Sequence, residues 1–229
     1  IFLVQMIDLF TSPTPNGYKV SCTLEYLNIP YQAHLVNLLE GEQFKKSFLK
    51  HSPNGKIPAI YHREEKLSLA ESGAILIYLA DMSGKLIPPD GPERYKVIEW
   101  LMFQMGHIGP MMGQSNVFFR YFPEKIDSVI KRYHKECRRL FEVVDNRLKN
   151  QDWLADDFSI ADIANWCWIR TYKWSGIEVN GLDHLQAWLE KIKKMPKIQK
   201  GLDVPVSRDI LKQNSEKDLI KFSKKILTK

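Results

Sequence analysis

No two cysteines in this chain are spaced for redox work or for holding a metal. Only three occur in 229 residues, Cys22, Cys137 and Cys167. There is no CxxC and no Cys/His ligand pattern, which excludes a CxxC dithiol site and a zinc module. The odd count and wide separation point to buried, reduced thiols, as in a cytosolic protein. No apolar run approaches the about 18 residues of a membrane span. The apolar start, Ile1-Phe2-Leu3-Val4, is too short for a secretory signal, and no cleavage pattern follows it. The first residue is not Met, which leaves room for residues upstream. Internal repeats and low-complexity segments are also missing. Net charge is +6, but residues 207–229 hold seven Lys/Arg against three acids. Only +2 is left for the other 206 residues, so the body of the chain carries no basic field of the kind nucleic acid requires. In that basic tail Ile210, Leu211, Leu219, Ile220, Phe222 and Ile226 have partly helical spacing. A peripheral helix is expected there, with a membrane-surface or partner contact as the alternative.

The remaining pattern is rich. Residues 4–10 (VQMIDLF) read as a strand buried on both faces. Val20, Leu24 and Leu27 recur at helical spacing, so a helix is expected from about Gly17 to Leu27. Residues 30–38 read as a second strand, and a short helix follows around 42–50. After the turn at 52–55, a third strand (56–62) and a fourth (67–70) form a hairpin with a charged tip at 63–66. Another helix starts at Ser72. The order is β-α-β-α-β-β-α within about 80 residues, with a parallel β-α-β crossover and an antiparallel hairpin. Three prolines and a glycine make 85–93 a linker. Beyond it only helical patterns appear, at about 92–117, 124–150, 159–175 and 183–194, with a shorter one after Pro196. The expected architecture is an α/β domain over 1–84 and an all-helical domain over 94–206, with the basic tail at 207–229. Ser159 and Asp162 have the spacing of a reciprocal N-terminal cap, with Phe158 and Ile163 as its apolar staple. That motif serves folding.

A β-α-β unit offers a crevice at the carboxyl ends of its strands. Three stretches are expected to meet there: the turn TSPTPNG (11–17), Lys56-Ile57-Pro58, and Glu71-Ser72. A helix starting at Ser72 presents free amides and positive potential to a carboxylate. Ser72 adds a hydroxyl, and Glu71 attracts an ammonium. Together they suit an α-amino acid head group, the alternative being a plain Ser cap beside an exposed Glu. Ile57, extended before a proline, has backbone groups available to an extended peptide.

The order of elements, the KIPA and ESGAILIYLA segments, the proline linker and the SIADIA box resemble the cytosolic glutathione transferases. In that family a thioredoxin-like domain precedes a helical one. SPTPNG, GEQF, IGPMMGQ (108–114) and KRYHKE narrow the resemblance to the nu class, which includes disulfide-reductase-like members and the glutathione-transferase-like domain of a yeast prion regulator. The resemblance implies glutathione as co-substrate, a homodimer, a cytoplasmic location and no metal. It implies a cis bond before Pro58, with Glu71 and Ser72 at the γ-glutamyl head and Ile57 on the cysteinyl backbone. Gln43 and Lys56 would lie near the glycyl end, and Thr14 and Asn16 at the sulfur. Arg132 would reach a glutathione carboxylate, the alternative being a solvated helix charge.

The turn holds no Cys, His, Tyr, Asp or Glu, and Tyr18 is already past it. Ser12 is a candidate, but the resemblance favours Thr14. Lowering a thiol from about 8.5 to near 7 takes about 1.5 pKa units, or roughly 2 kcal/mol. One hydrogen bond to a charged group contributes about 1.5–3 kcal/mol and a helix N-terminus about 0.3–1. A hydroxyl therefore suffices if glutathione brings the sulfur. The leading expectation is a glutathione-dependent disulfide-bond oxidoreductase using two glutathiones or one glutathione disulfide. The alternatives are conjugation of glutathione to small electrophiles, with Met111, Met112, Phe118 and Phe119 as candidate pocket walls, and a non-enzymatic glutathione-binding regulator.

Overall fold

The computed structural model describes residues 6–211 and 216–227. Packing divides the chain into two units. The first runs up to Lys85 and resumes at Met195 through the short helix ending at Leu211; the second holds Leu86–Lys194 and the last helix.

The first unit has four strands, β1 (Ile7–Thr11), β2 (Tyr31–Leu35), β3 (Ala59–His62) and β4 (Leu67–Ala70), in the spatial order β2-β1-β3-β4. β1 and β2 run parallel, with Ile7 opposite Tyr31; β3 is antiparallel to both its neighbours. Helices α1 (Pro15–Leu27), α2 (Lys46–Leu49) and α3 (Ser72–Ser83) alternate with the strands as the sequence predicts. Successive strand residues point to opposite faces. Ile7 and Leu9 of β1, Val20 and Leu24 of α1, and Ile75, Leu76 and Leu79 of α3 are fully buried. On the other face Phe10 packs with Val36, Phe48, Ala59, Ile57 and Ala70. Each such aliphatic side chain contributes about 1.5–3 kcal/mol on burial.

Several boundaries differ from expectation. β3 starts at Ala59, not at 56, because Ser52 holds the preceding residues in a turn, donating to the Lys56 carbonyl at 2.7 Å, and Pro58 has no N–H for the ladder. β2 ends at Leu35, not at 38. Val36 still donates to the Thr11 carbonyl at 2.9 Å, but Asn37 then turns the chain, its side chain accepting from the Leu39 amide at 3.1 Å. Residues 4 and 5 of the expected first strand lie outside the described residues.

One buried charge stands in β1. Asp8 accepts a two-pronged bond from Arg63, both arms 2.7 Å, and a third from His34 at 2.7 Å. The Arg63 guanidinium holds its carboxyl below the ordinary 3.8, against the opposing effect of burial. A depressed folded-state pKa means that the pair stabilises above about pH 4 and that this is lost as pH falls through the folded value. The urea midpoint of Asp8→Asn is therefore expected below that of the wild type at pH 7, with the gap closing by pH 3.

The second unit is helical: α4 (Gly91–Phe103), α5 (Gly109–Asn116), α6 (Asp127–Leu148), α7 (Ile160–Ile169) and α8 (Asp183–Lys193). The single helix expected over 92–117 is instead broken by a wide π-turn at Gln104–Ile108, and a second π-turn, Val117–Tyr121, follows α5. Pro110 lacks the N–H that would continue a regular ladder. α7 also ends early, the Thr171 hydroxyl donating to the Trp168 carbonyl at 2.7 Å. Met112 is fully buried in the core. Phe118 stacks on Tyr133 at 5.7 Å, and Phe119 meets His134 edge-on at 5.1 Å.

The cap at α7 forms as expected. The Asp162 carboxylate accepts from the Ser159 amide at 3.1 Å, and the box is reciprocal. It also accepts from the Leu154 amide and the Trp188 indole, each at 3.0 Å. α9 (Pro196–Gly201) packs on α1 in the first unit, whereas the sequence reading grouped these residues with the helical domain. The approach is close, since a Cβ on Gly201 would lie 2.4 Å from the Cys22 Cα. The basic tail forms two helices, α10 (Arg208–Leu211) and α11 (Glu216–Leu227). The Leu219, Phe222 and Ile226 side chains lie outside the described residues.

Candidate active site

Strand register brings the three expected stretches together. Phe10 lies opposite Ala59, and Ala59 opposite Ala70. The turn after β1, the Ile57-Pro58 segment before β3 and Glu71-Ser72 after β4 therefore share one end of the sheet. The Ile57-Pro58 bond is cis, as the resemblance implied.

The opening turn is organised by backbone accounting. Thr14 is the N-cap of α1 (φ −132°, ψ 159°), and its hydroxyl oxygen accepts from the Gly17 amide at 3.2 Å. A hydroxyl has one hydrogen and two lone pairs, so capping leaves the Thr14 hydrogen to donate. Ser12 is buried and its hydroxyl donates to the Val36 carbonyl, which commits it to the fold and decides between the two candidates. Thr14 and Asn16 are half-buried. Gly17 has no alternative: a Cβ there would lie 2.3 Å from the Ser12 carbonyl oxygen and 2.4 Å from Thr11 Oγ1. Gly17→Ala is expected to distort the turn and cost about 1–3 kcal/mol, the usual scale of overpacking. Loss of glutathione affinity together with a lower melting temperature checks this.

At α3 the sequence reading is refined. Glu71, not Ser72, occupies the N-cap position, in a left-handed conformation rare for a non-glycine (φ 67°, ψ 110°), with no side-chain capping bond. Glu71 is exposed and Ser72, the first helical residue, is 6% exposed. The first-turn amides of α3 and the Ser72 hydroxyl thus form the anion receiver, with the Glu71 carboxylate beside it. Gln43 sits in a 3₁₀ turn, Glu42–Phe44, and is buried; its Oε1 has no hydrogen-bond partner among the described residues. Its carbonyl lies 3.2 Å from where a Cβ of Gly55 would be, next to Lys56, which is exposed. Arg132 is exposed on α6, in the second unit. The group at the sheet end forms without it.

The sequence reading missed Lys19. It lies in α1, is 1% exposed, and donates to the Ser72 hydroxyl at 3.3 Å. The signal was present: Lys19 is the one charged residue between Asp8 and Glu25. All three cysteines are free and buried, and burial pushes the Cys137 thiol up to about 12.

Residues 6–81 match the family model for the glutathione S-transferase N-terminal domain, and residues 102–196 that for the C-terminal domain. The chain belongs to the glutathione S-transferase family. Within it, the chain is 41% identical over 197 residues to the disulfide-bond oxidoreductase YfcG of Escherichia coli, covering 83% of this chain and 92% of that one. It is 39% identical over 160 residues to glutathione S-transferase 1 of Schizosaccharomyces pombe, covering 67% and 70%. A glutathione transferase from Pseudomonas putida, solved with one glutathione disulfide per subunit, superposes with a TM-score of 0.81 at 39% identity, over 88% of this chain and 92% of that one. In this transferase the sheet-end group offers donors for a carboxylate and for a sulfur, and no protein nucleophile.

Proposed function

We propose that the chain is a nu-class glutathione transferase that reduces disulfides with bound glutathione. The observation that carries this is the Thr14 hydroxyl, whose oxygen caps α1 and whose hydrogen is left for a sulfur, at a sheet end where every cysteine of the protein is buried away. Relatives solved with glutathione disulfide or with two glutathiones per subunit support it.

In this reading the α3 amides and Ser72 receive the γ-glutamyl carboxylate and Glu71 its ammonium. Ile57 pairs with the cysteinyl backbone before cis-Pro58. Gln43 and Lys56 serve the glycyl end, with the unpartnered Gln43 oxygen available to a backbone N–H. Arg132 adds a carboxylate contact. Thr14 and Asn16 hold the sulfur as a thiolate. That thiolate attacks one sulfur of the substrate disulfide, forming a mixed disulfide and releasing one substrate thiolate, which takes a proton. A second glutathione thiolate attacks the glutathione sulfur of the mixed disulfide. Glutathione disulfide forms and the second substrate thiol leaves. Two glutathiones are oxidised for each disulfide reduced. A homodimer in the cytoplasm, where glutathione is reduced, completes the proposal.

The test compares turnover of a small dialkyl disulfide with that of a chloronitrobenzene under saturating glutathione. Faster disulfide turnover is expected. Conjugation as the dominant rate would reassign the site to the other branch of the family, and glutathione binding with neither rate would make it a regulator.

A further inference from the structure

Lys19 and Ser72 belong to different helices of the first unit, and their bond joins α1 to the first residue of α3. A lysine ammonium only donates. Ser72 Oγ is therefore the acceptor, and its single hydrogen must point elsewhere. A cation at a helix N-terminus also faces the positive end of the helix dipole, where it is disfavoured, and a fully buried charge is costly without compensation. Two positive potentials placed together in a buried position are stabilised by one thing in common, an anion bound at the start of α3. Glu71 cannot supply it by capping, since its side chain makes no cap bond there.

We propose that Lys19 is a positioning residue for glutathione. Its buried ammonium fixes the Ser72 hydroxyl as a donor to the γ-glutamyl α-carboxylate and adds charge behind that donor. This rests on the proposed glutathione site and names what sets its preference for an anionic head. A hydrogen bond polarised from behind is strengthened, and bonds to a charged group are the strong ones.

The test is Lys19→Met, which keeps the length of the side chain and removes the charge. Calorimetric titration is run with glutathione and with its analogue in which the γ-glutamyl α-carboxylate is a carboxamide. The variant is expected to bind glutathione about tenfold more weakly, the scale of one charge-assisted hydrogen bond, and the carboxamide within twofold of wild type. KM for glutathione rises by a similar factor while kcat stays within twofold. Equal affinity of wild type and variant for glutathione, or equal loss of both ligands, overturns the proposal. If Lys19→Met does not fold, the wild type labelled with ¹⁵N at lysine Nζ decides. The Lys19 ammonium resonance is expected to shift on saturation with glutathione and much less with the carboxamide, and no difference between the two overturns the proposal. Failure of the wild type to bind glutathione at all is a separate result, which removes the glutathione site itself.

Discussion

Thr14→Ala is expected to lower kcat/KM for a small disulfide by about 10- to 150-fold, while Cys22→Ser stays within twofold of wild type. The range corresponds to about 1.5–3 kcal/mol, one hydrogen bond to a charged sulfur, at about 1.36 kcal/mol per tenfold. Thr14 also caps α1, and losing a cap costs about 1 kcal/mol of stability. Two further variants separate these roles. Thr14→Ser keeps both cap and donor and should retain most activity. Thr14→Asp keeps a capping oxygen but has no hydrogen to give and repels a thiolate; it should fold and be nearly inactive. Cys22 is the cysteine nearest the turn in sequence, but it is fully buried and its Sγ faces the Ile198 carbonyl at 3.4 Å. A large loss from Cys22→Ser with Thr14→Ala unaffected would refute a glutathione-borne sulfur.

Asp162→Ala is expected to produce the largest loss of stability, about 3–5 kcal/mol. The side chain is fully buried and accepts from the Leu154 and Ser159 amides, the Ser159 hydroxyl and the Trp188 indole. Its removal leaves those donors buried without an acceptor, at about 1–3 kcal/mol for each fully orphaned group. Burial pushes the Asp162 carboxyl up to about 6 from 3.8, outweighing the four hydrogen bonds that lower it. The folded state therefore holds this proton more tightly than the unfolded chain. Its contribution is fully present below about pH 4 and is lost as pH rises through 6. The difference in unfolding free energy between wild type and Asp162→Ala should shrink over that range. Urea unfolding followed by tryptophan fluorescence checks both the size and the slope, since Trp166 and Trp188 lie in this core.

The fold was legible where pattern and chemistry agreed. The alternation of elements through α3, the cap at Ser159 and the meeting of three stretches at one sheet end all follow from hydrophobic period, turn residues and strand order. The cis bond and the choice of Thr14 came from the resemblance, because neither isomer state nor an unoccupied hydroxyl hydrogen leaves a mark in spacing. Ser12 and Thr14 differ only in what they meet in space, a strand carbonyl for one and a helix amide for the other. The π-turns around α5 were invisible because the apolar pattern runs through them. The association of α9 with α1 depends on a tight approach between Gly201 and Cys22, residues 179 positions apart. Lys19 was overlooked for a related reason. A charged residue on a helix is ordinarily solvated, and only packing reveals that this one is buried against Ser72.

The central claim is that the turn after β1 stabilises a sulfur belonging to glutathione. Ultraviolet titration of the thiolate in the wild-type complex measures it directly. Bound glutathione is expected to ionise near pH 7, about 1.5 units below a free thiol, and to return toward about 8.5 in Thr14→Ala. A bound thiol that titrates at its free value in the wild type, or that is equally depressed in both proteins, would contradict the account.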